Sequence, residues 1–149
     1  MKLLRYGQVG QEKPGLLDAD GVVRDLSQHV ADINGAALSP ENLAKLAALD
    51  TASLPAVDGG VRIGARVARP GKLIGIGLNY SDHAAESGLP IPSEPIVFHK
   101  ATTAISGPYD NVLLPPGSTK LDWEVELAFV IGKKASYVSE EEAMSHVAG

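Results

Sequence analysis

The sequence predicts a strand-rich α+β fold. Short apolar runs alternate with turn residues, and glycine and proline are frequent, at 16 and 10 of the 149 positions. Frequent turn residues between short apolar runs are typical of many short strands joined by tight turns. Only three segments carry helix signals, and each of them is short. The chain is long enough for a real hydrophobic core.

Residues 1–70 are predicted to form a small N-terminal domain of strands around one helix. The turn "DADG" at 18–21 predicts a hairpin, with strands at 2–6, 15–17 and 22–26. Ser39 is the expected N-cap of the helix, and Pro40 takes its first position. The helix is expected over 39–50, with an apolar stripe for the core at Leu43, Leu46, Ala47 and Leu49.

Residues 71–149 follow a boundary near "ARPGK" (68–72). The predicted elements are a buried strand "LIGIG" at 73–77, a very short helix between Ser81 and Gly88, a strand "IVFHK" at 96–100 and an apolar strand at 121–132. Ser139 and Glu142 form a capping box that begins a final helix. His29 and His146 are predicted to be surface residues.

Composition excludes several classes of function. The net charge of −5 argues against nucleic-acid or anionic-membrane partners. There is no cysteine, so no disulfide framework or thiolate chemistry is expected. No apolar run approaches the roughly 20 residues of a membrane span, and the start shows no signal-peptide pattern. A cytoplasmic location is the expectation.

The stretch "LDWEVELAFVIG" (121–132) carries two glutamates on one face of its predicted strand. Side chains alternate along a strand, so Glu124 and Glu126 point the same way, roughly 7 Å apart. The other face is wholly apolar, and Trp123 and Leu127 are expected to pack there. Two carboxylates this close are either screened by solvent or neutralised by a hard cation. The stretch alone does not choose between these alternatives.

The stretch "NYSDHAAESG" (79–88) holds a candidate acid–base pair. His83 and Glu86 are spaced i, i+3 and lie on one face of the short helix. A carboxylate beside an imidazole orients the ring for general-base chemistry, although two solvated surface residues would share this spacing. Nearby, "GIGLNY" lacks the third glycine of a dinucleotide-binding loop, since Tyr80 stands there. Lys100 ends its strand, where it is solvated or holds a substrate carboxylate.

Three blocks in order, "GKLIGIGLNYSDHAAESG", "EPIVFHKATTAISGP" and "DWEVELAFVIGKKA", resemble the fumarylacetoacetate hydrolase family. Residues 1–70 are similar to the smaller N-terminal domain of bacterial members named as ureidoglycolate lyases or diketo-deoxy sugar acid hydrolases. Residues 71–149 resemble the first part of the family's mixed-β catalytic fold. Members run to about twice this length, so the chain looks like the N-terminal half of such an enzyme.

The resemblance implies roles for particular residues. It makes Glu124 and Glu126 ligands of Mg²⁺ or Mn²⁺, with Ca²⁺ as a further option, and makes His83 and Glu86 the catalytic dyad. It implies a third ligand, an aspartate, on a strand beyond residue 149. The substrate-binding set it implies is Asn79, Tyr80 and Lys100.

The expected function is a metal-dependent hydrolase or lyase of a small 2-oxo acid, such as an acylpyruvate, a 2,4-dioxo acid or a 2,4-diketo-3-deoxy sugar acid. The complete enzyme is expected to be a homodimer. Decarboxylation and ureidoglycolate cleavage are alternatives on the same scaffold, because fold does not choose the chemistry. The rival from another class is a non-catalytic interaction or oligomerisation fragment with an exposed acidic strand.

Overall fold

The computed structural model describes all 149 residues and divides into two compact units. The first unit comprises Met1–Ala68 and Gly107–Gly149, and the second comprises Arg69–Ser106. The elements are β1 (Lys2–Tyr6), β2 (Lys13–Leu17), β3 (Val23–Asp25), α1 (Pro40–Ala47), β4 (Leu73–Gly77), α2 (Ser81–Glu86), β5 (Ile96–Lys100) and α3 (Glu140–Ala143). The predicted strand-rich α+β architecture is confirmed.

The first unit contains an antiparallel sheet in the order β1-β2-β3. The predicted hairpin is confirmed, and Gly21 takes the positive φ of 81° that its turn requires. The carboxylate of Asp18 accepts the backbone N–H groups of Asp20 and Val22. The same carboxylate pairs with Arg24 at 2.7 Å, which ties the turn to the returning strand.

The core of the first unit lies between this sheet and helix α1. Ser39 caps the helix by accepting the N–H of Asn42 at 3.3 Å, and Pro40 begins it, as predicted. Leu46 is buried, whereas the neighbouring Ala47 is exposed, so the apolar stripe is narrower than expected. The buried cluster consists of Leu16, Leu26, Leu46 and Leu54.

The second unit is built on an antiparallel pair of strands, β4 and β5, joined through α2. The register sets Gly75 opposite Phe98. A Cβ atom at Gly75 would collide with the Phe98 ring, so glycine there leaves the room that the ring occupies. Ile76 and Val97 remain exposed on this two-stranded sheet, which is a marginal structure without further strands.

The prediction of a strand at 121–132 is wrong for most of this segment. Residues 121–130 form neither helix nor strand, and Trp123 and Leu127 are 79% and 73% exposed instead of packed. Pairing begins only at the end, where Ile131 bridges Val147 and the Val130 N–H donates to the Gly149 carbonyl at 2.8 Å. An alternating pattern specifies two faces, but a strand also needs a neighbouring backbone to bond.

The C-terminal segment differs from its prediction in two ways. Ser139 caps α3 through the Glu142 N–H as expected, but the helix ends at Ala143. His146 is buried, not exposed, with Nδ1 3.3 Å from the Lys133 carbonyl oxygen. The backbone hydrogen bond from Gly132 to His146 brings these segments together, a pairing that local sequence does not reveal. His29 is exposed, as predicted.

None of the helices has the length and apolar composition that crossing a bilayer requires.

Candidate functional site

The site residues expected from sequence fall in both compact units. The second unit holds one group of them, namely Asn79, Tyr80, His83, Glu86 and Lys100. The first unit holds Glu124 and Glu126.

Helix α2 carries the His83 and Glu86 pair on its open side. The helix packs through Ala84, which is 1% exposed, whereas His83 and Glu86 are both exposed. Gly88 stops the helix with a φ of 66°, and the Leu89 N–H donates to the Ala84 carbonyl at 3.0 Å. This 6→1 hydrogen bond is the usual closure of a helix end. The predicted short helix is confirmed, and it presents both side chains to solvent one turn apart.

The connection between β4 and α2 contains a strained residue. Leu78 has a φ of 51°, a left-handed conformation that costs a residue with a Cβ about 1–2 kcal/mol. Asn79 and Tyr80 follow directly, and Tyr80 precedes the first residue of α2 without a side-chain capping bond. Backbone strain of this kind often marks a functional segment. Nothing in the sequence signals it, because glycine or asparagine is the residue expected at such a φ.

Lys100 lies at the far end of the β4–β5 ladder from Asn79. Its backbone pairs with Leu73, the first residue of β4, whereas Asn79 lies two residues beyond Gly77, the last. These two ends are four residue steps apart, which is roughly 13 Å along the strand. The Lys100 ammonium lies 5.8 Å from the centroid of the Phe98 ring, within the range of a cation–π contact.

Glu124 and Glu126 are exposed, as are the residues around them. The backbone N–H of Trp123 donates to the carboxylate of Asp122 at 2.8 Å. Carboxylate oxygens suit a hard divalent cation such as Mg²⁺ or Mn²⁺. Nowhere in the structure, however, do three or more His, Asp or Glu side chains gather closely enough to hold a metal. The donor chemistry therefore fits the expected cation, and the number of protein ligands falls short.

A network of ion pairs was not foreseen from the sequence. The Arg62 guanidinium binds Asp110 at 2.6 Å and Glu12 at 3.0 Å, and Arg5 reaches Glu12 at 3.4 Å. The hydrogen bonds from Arg62 hold the pKa of Asp110 below its ordinary value. Asp110 also accepts the Gly107 N–H at 2.8 Å, so the network fixes the turn at 107–110. Arg62 and Asp110 are 48 residues apart, and no local pattern pairs them.

Comparison with known proteins identifies relatives for the whole chain. Residues 72–149 match the family model described as fumarylacetoacetate (FAA) hydrolase C-terminal. The chain is 61% identical over 149 residues to a provisionally named hydrolase of Burkholderia multivorans. It is 60% identical to a similarly named protein of Burkholderia ambifaria, and it covers 53% of each of these two relatives.

Solved structures agree with this match. A provisionally named HpcE protein from Mycobacterium smegmatis superposes with a TM-score of 0.77 at 32% identity. A fumarylacetoacetate hydrolase from Exiguobacterium antarcticum superposes with a TM-score of 0.75 at 28% identity. Each comparison covers 99% of this chain and 52% of the other. The chain therefore spans about half the length of the relatives it matches.

Proposed function

The chain belongs to the fumarylacetoacetate hydrolase family, and from that premise we propose that it contributes to a divalent-metal-dependent hydrolase or lyase of a small 2-oxo acid. The observation that carries the proposal is the pair of exposed carboxylates, Glu124 and Glu126, inside the family-matched region. The polypeptide that the relatives have beyond the matched length would supply the rest of the site. This polypeptide is called the complementary region.

The role proposed for each site residue rests on the chemistry of its side chain. Glu124 and Glu126 would hold Mg²⁺ or Mn²⁺, which when bound polarises a 2-oxo carboxylate and stabilises a departing enolate. Asn79, Tyr80 and Lys100 are the proposed substrate-binding residues, with the Lys100 ammonium as the partner of a carboxylate. The strained Leu78 backbone fixes the direction in which Asn79 and Tyr80 leave the strand.

His83 is the proposed general base. In the hydrolysis of an acylpyruvate, water adds to the 4-oxo carbon, and the bond between C3 and C4 breaks. The products are a carboxylic acid and pyruvate enolate, which is then protonated at C3. The His83 imidazole would accept the proton of the attacking water, and Glu86, one helical turn away, would hold the ring in position. The exposed side of α2 leaves the imidazole open to water and substrate.

The experiment joins the complementary region of the Burkholderia multivorans relative to this chain after Gly149. Mn²⁺ affinity is measured by calorimetry, and acylpyruvate hydrolysis by the loss of enol absorbance. Glu124→Gln and Glu126→Gln should each weaken Mn²⁺ binding at least tenfold, whereas Glu140→Gln, the same change on exposed α3, should not. His83→Ala should abolish most turnover and leave Mn²⁺ affinity nearly unchanged.

The chain of 149 residues by itself should bind Mn²⁺ weakly and hydrolyse no 2-oxo acid, because two carboxylates do not complete an octahedral site. Tight stoichiometric binding by the chain alone would contradict the proposed ligand set. Product analysis of the extended chain separates hydrolysis from decarboxylation, which releases CO₂, and from ureidoglycolate cleavage, which releases urea. An extended chain that is inactive with every substrate and indifferent to Mn²⁺ would favour the non-catalytic alternative.

A further inference from the structure

Leu78 interrupts the side-chain alternation of strand β4. Along the strand, Ile74 and Ile76 are exposed and the odd-numbered residues are half-buried, as expected where successive side chains point to opposite faces. Leu78 would continue the exposed series, yet it is half-buried, and Asn79 is exposed. The left-handed backbone of Leu78, with a φ of 51°, turns the chain out of its extended path. The residues after Leu78 therefore no longer follow the two faces of the strand.

We propose that Leu78 is a positioning residue for substrate binding: its left-handed backbone turns both Asn79 and Tyr80 out of the strand, and its half-buried side chain restrains that turn. Asn79 and Tyr80 are consecutive and both exposed, whereas consecutive residues of an extended strand point to opposite faces. The role in substrate binding rests on the proposed function, since Asn79 and Tyr80 belong to the proposed substrate site. Leu78 acts through them and does not itself touch the substrate.

The identity of the residue at position 78 supports a role beyond turning the chain. Glycine adopts a left-handed conformation without strain, and asparagine adopts it more readily than leucine does. Glycine would also leave the turn free to take other conformations. Leucine is strained there, but its apolar side chain is partly removed from water, which offsets the strain. The turn is therefore both strained and restrained, a combination that occurs at functional segments.

Two other residues with a Cβ have a positive φ, Arg69 at 45° and Tyr137 at 52°. Neither of them adjoins a proposed site residue. The Tyr137 side chain is fully exposed, so no burial offsets its strain. Tyr137 is therefore a matched control for the effect of a left-handed backbone as such.

A change at Leu78 should act on the segment before α2 more than on α2 itself. The helix is anchored by Ala84, which is 1% exposed and whose N–H donates to the Tyr80 carbonyl at 3.1 Å. His83, the residue before Ala84, should therefore keep its place when the turn changes. Loss of the turn should consequently raise KM more than it lowers kcat, the pattern expected when substrate binding is impaired more than the chemical step.

The test separates the backbone conformation of Leu78 from its apolar side chain. Leu78→Asn removes the apolar side chain and tolerates the left-handed backbone, whereas Leu78→Val keeps an apolar side chain and disfavours that backbone. In the extended chain, Leu78→Val should raise KM for an acylpyruvate about tenfold or more, because small displacements of binding groups are costly. Leu78→Asn should keep KM within about threefold of the unmodified value. Mn²⁺ affinity should stay unchanged in both variants.

Two further variants complete the series. Tyr137→Val disfavours the other left-handed residue in the same way and should leave KM unchanged. If Leu78→Asn does not fold, Leu78→Gly replaces it, and Leu78→Gly should raise KM less than Leu78→Val does, because glycine permits the conformation without fixing it.

Nuclear magnetic resonance on the 149-residue chain tests the conformation without any substrate. A positive φ brings the amide and α protons of a residue close together, so a strong nuclear Overhauser effect between these protons of residue 78 is expected. It should persist in Leu78→Asn and weaken in Leu78→Val. The amide resonance of Tyr80, two residues away, should move in Leu78→Val and stay in place in Leu78→Asn.

Failure of the proposed function is distinguishable from failure of this inference. An unmodified extended chain that hydrolyses no 2-oxo acid would contradict the proposed function, and the Tyr80 resonance would then decide whether Leu78 positions the segment. Equal displacement of that resonance in both variants, or none in either, would overturn the inference. An unchanged KM in Leu78→Val would overturn it too, as would an equal rise of KM in Leu78→Asn, since the apolar side chain alone would then be responsible. A weak Overhauser effect at residue 78 of the unmodified chain would remove its premise.

Discussion

Residues 1–68 and 107–149 belong to the same compact unit, yet the two segments differ in how far their apolar side chains are buried. In residues 1–68 the only large hydrophobic side chains left exposed are those of Met1 and Val9. In residues 107–149 most of them are exposed, from Tyr109 to Met144. Both segments carry alternating apolar patterns, so pattern does not explain the difference.

The difference in burial follows from whether a segment has neighbouring strands. Strand β2 bonds to β1 on one side and to β3 on the other, and Leu16 then packs against the buried Leu46 of α1. Residues 121–129 have the same alternation and no strand beside them. Burial of apolar surface stabilises a strand only where a second layer covers it. The comparison leads to four predictions.

The largest effect is expected from removing a core leucine. Leu26 is fully buried and Leu127 is 73% exposed. Leu26→Ala should lower the free energy of unfolding by about 2–5 kcal/mol, through lost burial and a residual cavity. Leu127→Ala should change it by less than about 0.5 kcal/mol. Urea denaturation followed by far-UV circular dichroism measures both, and equal losses would contradict the comparison.

The second effect is a loss of stability in alkaline solution. Burial, together with the hydrogen bond to Asp25, raises the pKa of Tyr6 from 10.0 to about 12. The folded state therefore keeps this proton more tightly, so the stabilisation is complete below pH 10 and is lost as the pH rises toward 12. The loss should reach on the order of 2 kcal/mol.

Tyr6→Phe should flatten this alkaline limb of the stability curve, and the exposed Tyr137→Phe is the matched control. Stability measured by urea denaturation across this pH range tests the prediction. An alkaline limb that survives in Tyr6→Phe would assign it to another group.

The third effect concerns the ion-pair network. Burial by itself would raise the pKa of Glu12, but hydrogen bonds and the charges of Arg62 and Arg5 lower it below the ordinary 4.5. Glu12→Gln should lower the free energy of unfolding by about 1–3 kcal/mol at neutral pH. Glu41→Gln, which breaks only an exposed pair with Lys45, should change stability little.

The sign of the pH dependence follows from the lowered pKa. The Glu12 contribution is fully present above pH 4.5 and is lost as the pH falls through the folded-state value. The difference between wild type and Glu12→Gln should therefore vanish in strong acid. A difference that stays constant with pH would mean that packing, not charge, is responsible.

The smallest effect is expected at the proposed catalytic pair. His83 and Glu86 are exposed, and α2 packs through Ala84. His83→Ala and Glu86→Ala should each change the free energy of unfolding by less than about 0.5 kcal/mol. A larger loss in thermal or urea denaturation would mean that the pair has a structural role, and activity measurements on these variants would then need correction for stability.

Much of the architecture was predictable because its signals are local. The N-cap at Ser39, the hairpin at 18–21 and the stop at Gly88 each depend on a few adjacent residues, and all three predictions are confirmed. The family was recognisable because its three blocks keep their order and spacing. The roles of His83, Glu86, Glu124 and Glu126 stay predictions.

What the sequence determined by itself is the set of turns, caps and short elements, since those depend on backbone preferences within a few residues. Tertiary structure alone decided that Arg62 meets Asp110, that His146 is buried and that Leu78 takes a left-handed conformation. It also decided that residues 121–130 do not form the predicted strand. The physical reason is that ladder hydrogen bonds, ion pairs and burial need partners distant in the chain, and a local pattern cannot supply them.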